Sequence, residues 1–79
     1  MTKKINAIDT INKIVENKQY KEIHGVIVDL FTASAIKAVY AALGGRNKKR
    51  MNDTMTKNKK GLLFIADFSV KQINKNKVG

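Results

Sequence analysis

Seven of the fifteen residues from Arg46 to Lys60 are basic, and Asp53 is the only acid among them. Ammonium and guanidinium groups packed this densely suit a polyanion, and nucleic-acid phosphate is the commonest one. The candidate nucleic-acid-binding set is Arg46, Asn47, Lys48, Lys49, Arg50, Lys57, Lys59 and Lys60. Lys and Arg neutralise phosphate there, and Asn47, Asn52 and Asn58 offer hydrogen-bond donors. The chain holds 14 Lys and only 2 Arg. Arg is the side chain that forks onto guanine edges, so phosphate contact is expected to outweigh base reading. Five phosphate contacts would lower duplex affinity roughly several-hundredfold between about 50 and 200 mM salt. The competing explanation is an ordinary solvated face, in a chain whose 14 Lys and 8 Asn reflect AT-rich coding.

Other residues with chemical potential form no reactive set. His24 is the single His, with Glu22 close by, but no Ser or Cys nucleophile lies near it. It reads as a helix-end residue favoured by the helix dipole. Asp29 and Asp67 sit among apolar residues. Asp29 reads as a helix cap, and Asp67 as a solvent-facing partner for Lys71 one turn on. Gly44-Gly45-Arg-Asn-Lys-Lys lacks the spacing of a phosphate-binding loop. With no Cys there is no disulfide and no cysteine zinc site. The expectation is a binding protein, not an enzyme, with no cofactor and no metal.

The charge is unevenly placed. Residues 1–31 carry a net +1 and residues 32–79 a net +9, within a total of +10. At 79 residues and 43% apolar composition, the chain is expected to be one small domain with a modest core. Such a domain must pack well or share apolar surface, so a homodimer is one expected partner arrangement. No uncharged run approaches the roughly 18 residues of a membrane span. MTKKINAIDT has lysines but no apolar leader core after them. No membrane association and a cytoplasmic location are therefore expected.

These residues must be positioned by a few short elements. Ile5, Ile8, Ile11, Ile14 and Val15 recur at helical spacing, predicting a first helix with Thr2 or Asn6 as cap. It either breaks at Asn17-Lys18 or runs on through Tyr20 and Ile23 to a stop at Gly25. Val26-Ile27-Val28 is β-branched and reads as a short extended piece. A helix from about Leu30 to Leu43 follows, with Asp29 or Thr32 as cap and Gly44-Gly45 as its end. Met51 and Met55, four apart, allow a short basic helix to bury both. Asn58 and Gly61 mark a break. From Leu62 to Ile73 the apolar density predicts a helix with both faces covered, central to a small bundle. Residues 74–79 read as a frayed tail. The fold class is all-α, three to four short helices, with an extended segment near 26–28. The alternative is α+β, with 26–28 pairing with 62–65. Residues 30–60 also have the outline of a helix-turn-helix, with Arg46, Asn47, Arg50 and Asn52 as its base-edge candidates.

The stretch Val28-Asp-Leu-Phe-Thr-Ala-Ser-Ala-Ile-Lys-Ala-Val-Tyr-Ala-Ala-Leu43, with Asn47-Lys-Lys-Arg-Met51 and Ala66-Asp-Phe68, resembles a pattern in small uncharacterised proteins of tailed bacteriophages. The likeness covers about residues 25–70. Gly44-Gly45 stands where that pattern has a more polar, acid-containing turn. The resemblance implies a phage origin, expression in a host bacterial cytoplasm and a part in host takeover. It implies no site residues. Two functions follow as expectations: nucleic-acid binding through phosphate, or a protein–protein inhibitor or adaptor docking on an acidic host protein.

Overall fold

A computed structural model describes residues 6–77, with side chains described through Asn74. Helix α1 spans Ala7–Asn17, strands β1 and β2 span Lys21–Ile23 and Val26–Val28, and helices α2, α3 and α4 span Leu30–Ala41, Gly45–Lys57 and Lys59–Lys77. The fold is small and mostly helical, with one two-stranded antiparallel sheet. No helix among the described residues is long and apolar enough to cross a membrane.

In α1 the isoleucine spacing does what it predicts: Ile8, Ile11 and Ile14 are buried with Ala7. Thr2 and Ile5 lie outside the described residues. The helix stops at Asn17 because Lys18 turns left-handed at φ 55°, and the Lys18 and Gln19 amides both close on the Ile14 carbonyl. The break at Asn17-Lys18 is therefore the correct reading, and the run through to Gly25 is not.

Gly25 instead makes a hairpin turn. His24 and Gly25 have φ of 53° and 80°. Positive φ at both positions is the signature of a type I′ turn, whose twist matches that of the flanking strands. β1 and β2 pair in the register Lys21 with Val28, Glu22 with Ile27 and Ile23 with Val26. Ile23, Val26 and Val28 thus share one face, which leans on the helical core, while Ile27 faces out. The extended segment at 26–28 is present, but its partner is 21–23 and not 62–65. Pairing with the neighbouring segment closes a two-residue loop, whereas 62–65 would require closing more than thirty residues; those residues are helical.

Asp29 caps α2, its carboxylate accepting the Thr32 amide at 2.8 Å. Ala33, Ala35 and Ile36 are buried, whereas Leu30, Phe31, Ala38 and Ala42 of the expected stripe are exposed. The helix ends at Ala41, and the two glycines begin the next one: Gly44 is the extended residue before α3 and Gly45 its first residue. Met51 and Met55 are buried as their spacing predicts. Asn58, fully extended, separates α3 from α4, and its side-chain oxygen accepts the Gly61 amide at 2.8 Å. Gly61 is thus not a break but part of α4.

α4 corrects the expectation of a covered central helix. Leu62 and Ser69 are buried, but Leu63, Phe64 and Phe68 remain 45%, 67% and 43% exposed. The helix continues through Lys77, so residues 74–77, expected to fray, are helical.

Candidate nucleic-acid interface

Two faces of α3 have opposite duties. Met51 and Met55 point into the core, and beside them Asn52 and Thr56 reach the start of α1. Asn6 gives α1 no side-chain cap. The Ala7 amide donates instead to Thr56 Oγ1 at 3.0 Å, and the Ile8 amide to Asn52 Oδ1 at 2.9 Å. Helix starts leave such amides without intrahelical partners, and here another helix satisfies them. The Asn52 oxygen is therefore committed to the fold, turned toward the start of α1, while its amide hydrogens remain donors. His24 is committed too. Its Nε2 lies 3.0 Å from the Met55 carbonyl oxygen. A carbonyl only accepts, so Nε2 carries the proton and ties the hairpin to α3; the helix-end role expected for His24 is not the one it has.

The opposite face of α3 is basic. Arg46, Arg50 and Lys57 follow one another at intervals of four and seven residues. That spacing sets them in one stripe about 16 Å long, away from the methionines. All three are exposed, as are Asn47, Lys49, Lys59 and Lys60. Lys49 is partnered by Asp53, with Nζ 3.0 Å from Oδ2. Lys48 is half-buried, its ammonium 5.6 Å from the centre of the Tyr40 ring, a cation–π distance. The remaining five, Arg46, Arg50, Lys57, Lys59 and Lys60, have no acidic partner among the described residues. The eight expected site residues thus lie on α3 and the first turn of α4, but Lys48 and Lys49 already have neighbours.

The surface beside Arg50, Lys57 and Lys60 is recessed. Arg50, Asp53, Thr54 and Lys57 line one shallow depression, and Thr54, Lys57, Asn58, Lys60, Gly61 and Phe64 line the next, of about 420 Å³. Thr54 and Lys57 belong to both, so the two form one track across the α3–α4 junction. The Thr54 hydroxyl donates to the Arg50 carbonyl at 2.8 Å and keeps its lone pairs for a ligand. The Asn58 oxygen is used by Gly61, which leaves its amide hydrogens to donate outward.

Phe64 and Thr54 are the parts of this surface that sequence reasoning missed. Phe64 was expected inside the bundle. A signal was present: within α4 it follows Lys60 by four residues, the spacing of one helical face. Helix α3 follows α2 after three residues, as a helix-turn-helix requires; of its base-edge candidates Arg46, Asn47 and Arg50 are exposed, and Asn52 is half-buried with its oxygen turned to α1.

A second recess is apolar. Ala38, Val39, Ala42, Leu43, Phe68, Gln72 and Ile73 line a groove between α2 and α4, with no charged residue in it.

Compared with protein-family models, curated proteins and solved structures, the chain matches none.

Proposed function

We propose that this protein binds nucleic acid chiefly through phosphate contacts, using the exposed face of α3 and the first turn of α4. The observation that carries the reading is five exposed cations without acidic partners among the described residues, three of which, Arg50, Lys57 and Lys60, line one recessed track; they lie in the half of the chain that bears nine of its ten net charges. It acts as a binding protein rather than as an enzyme. The resemblance to small tailed-phage proteins sets this activity in an infected bacterial cytoplasm, as part of host takeover.

Neutralising Arg50, Lys57 and Lys60 to Gln tests it. All three are exposed, so the fold is expected to survive. Each lost phosphate contact should reduce the slope of log affinity against log salt by about one. A triple variant that binds a random-sequence duplex as tightly as the parent, with the same slope, refutes the reading.

The α2–α4 groove favours a second reading, an inhibitor or adaptor docking on an acidic host protein. The basic stripe would steer the encounter and the groove would supply the anchor. The same groove is where a homodimer would close, since it lies clear of charged side chains. Capture of a host protein that persists after nuclease treatment and depends on Phe68 would support docking.

A further inference from the structure

We infer that the preferred ligand is single-stranded nucleic acid, with a base stacked on Phe64. This deepens the phosphate-binding reading and rests on it. Phe64 is 67% exposed, yet it stands at the end of the track and shares its cleft with Lys57 and Lys60. A large aromatic ring left in water in a cleft shared with two lysines has little to gain from the fold and much to gain from a flat partner that carries negative charge. A single strand is such a partner: phosphates run along Arg50, Lys57 and Lys60 while an unstacked base covers the ring. The Thr54 lone pairs and the Asn58 amide hydrogens lie in the same cleft and suit the edge of that base. A duplex offers phosphates equally well, but its bases are stacked on one another, and exposing one carries the cost of unstacking. With only two arginines in the chain, no strong reading of groove edges compensates.

The chain contains no Trp, so Phe64→Trp introduces a single indole reporter at the site. A labelled oligothymidine and a labelled duplex of equal length are titrated with this variant, recording oligonucleotide anisotropy and indole emission together. The expected result is quenching of the indole that saturates with the anisotropy of the single strand, and little quenching with the duplex. Phe64→Ala should weaken single-strand binding about tenfold, within the range of one base–aromatic stack, and duplex binding less than twofold. Anisotropy that rises without quenching, together with equal loss or no loss in Phe64→Ala, overturns the stacking inference and leaves phosphate binding standing. No rise in anisotropy with either ligand at low salt overturns both.

Discussion

Ser69 is fully buried in α4, and its hydroxyl finds no partner among the described residues. A buried unpaired hydroxyl costs about 1–3 kcal/mol, and Ala is the better helix former. Ser69→Ala should therefore stabilise the protein by about 1 kcal/mol, raising Tm by about 4–8 °C on a thermal melt; a lower Tm would mean the hydroxyl has a role the fold depends on. Asp29 has a different sensitivity. The Thr32 amide hydrogen-bonded to its carboxylate, and the Thr32 side chain after it, hold its pKa below the usual aspartate value. The charged form is favoured in the folded state, so the contribution is complete above about pH 4, the ordinary unfolded value, and disappears as pH falls through the lowered folded value. Asp29→Asn keeps a capping oxygen but removes the titration. Denaturant midpoints of the two proteins should differ in their pH dependence only below about pH 4. Asp29 as a cap was legible in the sequence, because an Asp directly before an apolar run has few other uses. The roles of Asn52 and Thr56 were not, since capping a distant helix leaves no local spacing to read.

At the scale of elements, α4 rests on α3 at Gly61. A Cβ built there collides with the Thr54 carbonyl oxygen, which is backbone and has little room to yield. Gly61→Ala should cost about 1–3 kcal/mol, the usual penalty of overpacking, despite the better helix propensity of Ala. An exposed glycine in open space, Gly45, gives the control: nothing lies near its added Cβ. Equal melts for Gly61→Ala and the parent would show that the two helices do not meet there. The elements themselves were largely legible. Regular isoleucines set α1, the paired methionines set the inner face of α3, and the Asn58 break fell where the chain turns. What escaped was decided by tertiary contact. The end of α1 rests on Lys18 in a left-handed conformation that usually selects Gly or Asn, so its residue type gave no signal. The hairpin turn has a His where Asn is the usual choice, and the His24 contact with the Met55 carbonyl helps account for that choice. The exposed aromatics of α4 matched a buried face in pattern alone, since periodicity places residues on a face without saying whether anything covers it.

The whole molecule divides its labour by charge. The first 31 residues carry a net +1 and supply α1 and the hairpin, much of the core; the remainder carries +9 and supplies the exposed cations of α3 and the start of α4. The uneven charge was visible in the sequence, and the structure adds how many of those cations are engaged elsewhere: Lys49 with Asp53, Lys71 with Asp67, Lys48 above Tyr40. Five unpaired cations in the 46–60 run set a quantitative expectation for the central claim. Binding to a random-sequence duplex is measured by fluorescence anisotropy at 50 and at 200 mM salt. Five phosphate contacts predict micromolar or tighter binding at the lower salt and a roughly several-hundredfold loss at the higher. No binding at about 50 mM salt, or an affinity that salt leaves unchanged, would contradict a phosphate-binding surface on α3 and α4.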